Sequence, residues 1–335
     1  MKKIISLITA FMLTAALLAG CGSTGNGTAD QTDKQENSGT QTQAEPVDVN
    51  VMALKGPTAM GMVKLMDDAD SGNVDTENYS FEIAASADEV TPKLIQGETD
   101  IAAVPANLAS VLYNKTEGQI QVLAVNTLGV LYIVENGDSI HSVSDLAGRT
   151  IYASGKGSTP EYALNFILEK NGLTPGTDVT IEWKSEHSEC VSALAQDPEG
   201  IAMLPQPFVT TAQAKNPNLK VALDLTEEWD KVMENEETKS SLLTGVVVVR
   251  KEFAEENPEA VEDFMDRYAD SVKYVNDNVE EAAKLVGKAI PECNIVCITG
   301  EDMKEQLSGY LAVLRDANPE SIGGELPGDD FYYIQ

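Results

Sequence analysis

Histidine is nearly missing from this chain, whose 335 residues hold only two, His141 and His187. A serine nucleophile needs an imidazole beside it, and catalytic zinc sites commonly use several, so both chemistries lack their usual parts. His187 precedes Cys190 in SEHSEC, a spacing that offers two metal ligands or simply a solvated loop histidine near a packed cysteine. Cysteine is scarce too. Apart from Cys21, the chain has Cys190, Cys293 and Cys297, an odd number with no CxxC pair, so neither a disulfide framework nor a zinc module is indicated. CNIVC, residues 293–297, reads as a buried strand with small apolar cysteines, although a local helix would bring its two thiols together. Basic residues number 23 against 54 acidic ones, giving a formal charge of −31, and they are scattered. Nucleic-acid binding relies on clustered Lys and Arg to release counterions, so that class of partner is not expected. Runs such as EENPEAVED read as solvated helix faces. In SGKGST, Lys156 is followed by glycine and Thr150 stands where a P-loop needs its first glycine, so the phosphate-binding pattern fails. No G-x-S-x-G nucleophile elbow occurs either.

What is present begins with MKKIISLITAFMLTAALLAG, residues 1–20, which has a basic start, a short apolar core and small residues at its end. That is the pattern of a secretory signal, too short for a membrane span. Leu18, Ala19, Gly20 and Cys21 resemble the bacterial lipobox, which implies cleavage before Cys21 and attachment of lipid to it. Residues 21–46 are Gly-, Ser-, Thr- and Gln-rich with almost no large apolar side chain. Such a segment cannot offset its ordering entropy by burial and is expected to be a flexible tether.

Beyond the tether, apolar runs alternate with amphipathic stretches, the mark of βαβ construction. The length exceeds the usual size of one core, so two α/β lobes are expected. A strand pair broken at Asn126–Gly129 and the β-branched run 244–249 give the chain two places to pass between lobes. Lobe 1 then comprises 47–127 and 246–335, and lobe 2 comprises 128–245. One helix is expected across PTAMGMVKLMDDA, with Met60, Val63 and Met66 on its apolar face. Four strand-to-helix junctions share Gly, Pro and small polar residues: ALKGPTAMG, AAVPANLAS, YASGKGSTPEYAL and AMLPQPFVTTA. Helix starts at the carboxyl ends of parallel strands present unpaired N–H groups to a ligand crevice. Thr58, Ser158 and Thr159 are expected there as helix caps, as ligand contacts, or both. Lys55 and Lys156 lie in two of these loops, where each meets either solvent or an anionic ligand group.

Taken in order, ALKGPTAMGMVKLM, IQGETDIAAVPANLAS, DLAGRTIYASGKGSTPEYAL and IAMLPQPFVT resemble the substrate-binding lipoproteins of ABC importers of the nitrate, sulfonate and taurine type. The resemblance spans nearly the whole mature chain. It implies a type II periplasmic-binding-protein fold, two α/β lobes joined by a two-strand hinge and closing over one small molecule. It places cleft positions at Gly56, Pro57, Thr58 and Ala59, at Pro105, Ala106 and Asn107, and at Asn126 and Thr127. In lobe 2 they fall at Gly157, Ser158 and Thr159 and at Pro205, Gln206 and Pro207. No arginine occupies any of these positions, which leaves Lys55 as the cation of the first lobe. The implied protein is a monomer without a cofactor, lipid-anchored at the outer face of the cell membrane. It binds a small polar or anionic solute, sulfonate-, taurine-, nitrate- or pyrimidine-like, and delivers it to a permease with its ATPase. The rivals are a sensory or adhesive lipoprotein and, because the family has relatives concerned with thiamine pyrimidines, an enzyme.

Overall fold

The computed structural model describes residues 46–84, 86–286 and 293–334. The leader 1–20, Cys21 and nearly all of the 21–46 tether lie outside the described residues. Strands form where apolar and β-branched residues run together: β1 (Asp48–Leu54), β2 (Asn78–Ala84), β3 (Ile101–Pro105), β4 (Ile120–Leu128), β5 (Leu131–Glu135), β6 (Thr150–Ser154), β7 (Thr180–Lys184), β8 (Ile201–Pro205), β9 (Lys220–Asp224), β10 (Leu243–Arg250) and β11 (Ile295–Ile298). They build two sheets, ordered β11-β4-β10-β3-β1-β2 and β7-β6-β8-β5-β9. Val246–Val249 of β10 are fully buried, as a central strand covered on both faces requires.

The helices are α1 (Pro57–Met60), α2 (Val63–Asp70), α3 (Ala87–Gln96), α4 (Ala106–Lys115), α5 (Thr159–Lys170), α6 (His187–Gln196), α7 (Phe208–Lys215), α8 (Leu225–Met233), α9 (Lys251–Glu256), α10 (Pro258–Asp277), α11 (Val279–Val286) and α12 (Gly300–Ala317). Helix α10 buries Val261, Phe264, Tyr268, Val272 and Val275, a stripe at helical spacing. The helix expected across 57–69 is instead two, broken at Gly61–Met62. Ser271 of α10 explains the break. Its hydroxyl donates to the Gly61 carbonyl at 2.6 Å and accepts from the Leu65 N–H at 3.2 Å. These are the two groups a continuous helix would pair with each other, so the hydroxyl is inserted into the ladder.

Strand directions fix which edges face the crossovers. In the first sheet β1, β2 and β3 are parallel and β10 runs against both β3 and β4, so β4 points with β3. In the second sheet β6, β7 and β8 are parallel and β5 runs against β8. The chain leaves the first sheet at Leu128 and enters the second at Leu131, opposite Pro205, the carboxyl end of β8. Strand β10 then begins at Leu243, opposite Leu128. Both crossovers therefore lie at the carboxyl edges of the parallel strands. Strand β4 also runs further than the sequence suggests: Asn126 and Thr127 are inside it, and the break is confined to Gly129 and Val130.

Cys293 and Cys297 take part in the core beneath the first sheet, and no disulfide joins cysteines among the described residues. Burial raises the Cys297 thiol to about 11. The carboxyl-terminal segment returns to the first sheet, where Phe331 is buried and the Tyr333 N–H donates to the Val122 carbonyl at 2.9 Å.

At the second crossover, a Cβ on Gly245 would lie 2.4 Å from Thr58 Cγ2 and 2.5 Å from Asn126 Oδ1. Thr58 is 7% exposed and Asn126 is fully buried, so neither neighbour has room to retreat. Gly245→Ala is expected to cost about 2 kcal/mol, the scale of overpacking in a close-packed interior. Denaturant unfolding measures it, and a loss below about 0.5 kcal/mol, the range of neutral surface changes, would show that this contact is not tight.

Candidate functional site

The first-sheet wall is built on a buried hydrogen-bond chain. The Asn126 amide donates to the Thr58 carbonyl at 3.0 Å, and the Thr127 hydroxyl donates to Asn126 Oδ1 at 3.0 Å. The Thr58 hydroxyl donates back to the Leu54 carbonyl at 3.1 Å. Thr58 was expected as a helix cap; instead Gly56, at φ 134°, holds the N-cap of α1 with Pro57 following it. The Ala59 N–H donates to the Gly56 carbonyl at 3.1 Å. Pro105 ends β3 opposite Gly245, as Thr127 does on the other side. Thr58, Pro105, Asn126 and Thr127 thus surround one glycine. Ala106, which opens α4, is buried, and Asn107 turns elsewhere, donating to the Ser321 carbonyl at 3.1 Å.

On the second sheet, Pro205 ends β8 opposite Leu131, and the Gln206 N–H donates to the Val130 carbonyl at 3.0 Å. Gln206 Oε1 accepts from the Thr210 hydroxyl at 3.0 Å, closing the turn through Pro207 into α7. The Ser158 hydroxyl was also expected as a cap, but it donates backward to the Gly155 carbonyl at 2.7 Å. The N-terminal charge of α5 is met instead by Glu161, whose carboxylate accepts from the Gly157 N–H at 2.6 Å. Gly157 borders a groove of about 930 Å³ between α5 and α12. Across it Asn318 donates to Tyr162 Oη at 2.9 Å, and Thr159 meets Tyr310. The predicted positions therefore form a tight group at the crossovers and a second group, Asn107 with 157–159, turned toward α12 and the segment after it.

Charges are sorted between the two edges. At the amino edge Arg250 pairs with the buried carboxylate of Asp100 at 2.9 Å, and Asp100 also accepts from the Asn50 N–H at 2.9 Å. Among the described lysines, Lys55, Lys115, Lys156 and Lys215 have no ion pair or side-chain hydrogen bond. Lys115 and Lys215 occupy the last turns of α4 and α7, where the helix dipole favours a cation. Lys55 and Lys156 have no such partner. Both are exposed, and both follow the carboxyl ends of parallel strands, β1 and β6.

A fifth junction, EWKSEHSEC, went unrecognised in the sequence. It joins β7 to α6 and borders a 410 Å³ pocket with Ser154, Gly155, Ser185, Glu186, His187, Ser188 and Phe208. His187 is not a solvated loop residue: it is half-buried at the first position of α6. Its Nδ1 lies 2.5 Å from Ser154 Oγ, and its ring is 5.0 Å from that of Phe208. Cys190, in the first turn of α6, is fully buried. Residue order held the one usable signal, since SEHS follows an apolar strand just as the other four junctions do.

Burial lowers the His187 pKa below the ordinary histidine value of 6.5. Below 6.5 the unfolded chain takes up a proton that the folded chain resists, so stability is lost as pH falls through this region. His187→Gln is expected to flatten the fall in melting temperature between pH 7 and pH 5, and an unchanged slope would contradict the burial.

The family model described as ABC transporter, phosphonate, periplasmic substrate-binding protein matches residues 73–287. No curated protein matches the chain. Among solved structures, an ABC transporter protein from Parabacteroides distasonis is 22% identical, with TM-score 0.71, over 86% of this chain and 99% of that one. The periplasmic aliphatic sulphonate binding protein SsuA from Escherichia coli is 15% identical, with TM-score 0.64, over 86% and 92%. The CA3427 gene product of Candida albicans, described as exhibiting the generic periplasmic binding protein fold, is 16% identical, with TM-score 0.51, over 85% and 92%. These likenesses establish the periplasmic-binding-protein fold. With the family match extending over most of the folded part, the chain belongs to the periplasmic substrate-binding proteins of phosphonate ABC transporters.

Proposed function

We propose that this protein captures a small organic oxyanion, a phosphonate or sulfonate, between a lobe of residues 47–127 and 246–335 and a lobe of residues 128–245. The observation that carries the reading is the pair Lys55 and Lys156. They follow β1 and β6, strands of the two different sheets, and have no carboxylate to answer them in a chain whose formal charge is −31. An exposed cation in a strand-end loop, with no carboxylate against it, is free to meet an anionic ligand group. Gly56 to Ala59, Pro105, Ala106, Asn126, Thr127 and Pro205 to Pro207 form or brace the walls around it, whereas Asn107 and Gly157 to Thr159 turn toward α12. Solute bridging both walls favours the closed arrangement by its differential affinity, and the closed shape is what a permease with its ATPase would recognise. No bond is made or broken in this cycle. A lipid on Cys21 and the 21–46 tether would hold a monomer at the outer face of the membrane.

A thermal-shift series with methylphosphonate, 2-aminoethylphosphonate, ethanesulfonate and nitrate tests the solute class, because a ligand at 100 times its Kd adds about 2.7 kcal/mol of stability. Lys55→Gln and Lys156→Gln are each expected to weaken the best binder about tenfold, or about 1.4 kcal/mol. A double variant that binds like the wild type would discard the anion reading. Mass analysis of the membrane-extracted protein checks the anchor: Cys21→Ala is expected to release the chain from the membrane, and a membrane-bound variant would contradict lipidation there.

A further inference from the structure

Resting on that reading, we infer that Tyr162 and Asn318 are positioning residues for the solute: they hold the Lys156 loop in one conformation from the side of the first sheet. Lys156 stands between Gly155 and Gly157, at φ 84° and 77°. Glycine reaches that region without strain, and a Gly-Lys-Gly turn left to itself samples many conformations. Hydrogen bonds remove that freedom here. The Gly155 carbonyl accepts from the Ser158 N–H at 3.2 Å and from the Ser158 hydroxyl at 2.7 Å, and the Gly157 N–H donates to Glu161 at 2.6 Å. Those bonds stay within the turn and the first residues of α5. The next one does not. The hydroxyl of buried Tyr162 donates to the Gly157 carbonyl at 3.0 Å and accepts from the Asn318 amide at 2.9 Å. Both directions are fixed. A carbonyl only accepts, so the phenol gives its proton to Gly157. Asn318 Oδ1 accepts from the Glu320 N–H at 3.2 Å, which leaves the amide nitrogen for Tyr162.

Asn318 closes the end of α12, its N–H donating to the Leu314 carbonyl at 2.8 Å, and α12 packs on β4 and α4. The turn that follows is fastened to α4 as well. The Ser321 carbonyl accepts from the Asn107 amide at 3.1 Å, and the Ile322 carbonyl accepts from the buried Ser110 hydroxyl at 2.8 Å and from Asn114 at 3.0 Å. Helix α4 follows β3 in the first sheet, whereas the Lys156 loop follows β6 in the second. An element of one sheet therefore pins the cation-bearing loop of the other, and the pin lasts only while the end of α12 stays against α5. A loop already held in place loses little further freedom when an anion arrives, whereas a freed loop must be ordered by the solute itself.

Calorimetry and proteolysis together test this. The probe is whichever of methylphosphonate, 2-aminoethylphosphonate, ethanesulfonate and nitrate binds the wild type most tightly. Tyr162→Phe keeps the ring and removes the hydroxyl; it is expected to weaken binding about fivefold, the scale of one net hydrogen bond, and Asn318→Ala to do the same. Neither is expected to add to the loss in a Lys156→Gln background, because each acts through that lysine, whereas a general packing defect would weaken both backgrounds alike. Without solute, trypsin is expected to cut after Lys156 about fivefold faster in both variants, the sign of local opening, with the rates after Lys115 and Lys215 unchanged. Wild-type affinity in either variant, an equal loss in the Lys156→Gln background, unchanged cutting after Lys156, or faster cutting at all three lysines overturns this inference alone. If none of the four solutes binds, the solute-capture reading fails and takes this one with it.

Discussion

Asn126 holds together three segments of the first sheet: the loop after β1, strand β4 and strand β10. Fully buried, it offers its amide to the Thr58 carbonyl and its oxygen to the Thr127 hydroxyl, while Gly245 supplies the space by having no side chain. A buried amide left unpaired would cost the full desolvation of its polar atoms, about 1–3 kcal/mol. Here both ends are satisfied, so the group acts as a rigid tie. Its consequence is mechanical: the loop after β1, strand β4 and strand β10 cannot shift independently. The loop after β1 is thereby fixed to the strands that carry the chain between sheets, the coupling that the proposed closure about a crossover requires.

Charge placement follows the same division of edges. At the amino edge, Arg250 and Asp100 neutralise each other and fasten β10 to β3 and β1. At the carboxyl edge, Lys55 and Lys156 have no countercharge and Glu161 occupies the N–H of Gly157. The net acidity of the chain as a whole therefore says little about the carboxyl edge, where these two lysines stand without a countercharge.

Much of this was legible in the sequence because it depended on local pattern. Val246–Val249 reads as a two-sided buried strand from its β-branched run alone, and each Gly- and Pro-rich junction marks a strand end followed by a helix start. What could not be read depends on distant partners. The break between α1 and α2 is made by Ser271, 206 residues from Leu65. The failure of Thr58 and Ser158 to cap their helices reflects carbonyls that their own turns bring closer. His187 looked like a solvated loop residue because its partner, Ser154, lies 33 residues away on a neighbouring strand. Asn107 matched a family position, yet its amide is engaged by Ser321, which only the folded tail brings near.

The proposed cycle requires that one solute be held between the carboxyl edges of the two sheets. The most direct measurement is a crystal structure of the mature chain grown with the tightest-binding phosphonate or sulfonate. Density for that molecule is expected to touch the Lys55–Thr58 loop on one side and the Lys156 loop on the other. Solute density confined to the groove between α5 and α12, or to the outer surface of either sheet, would contradict it.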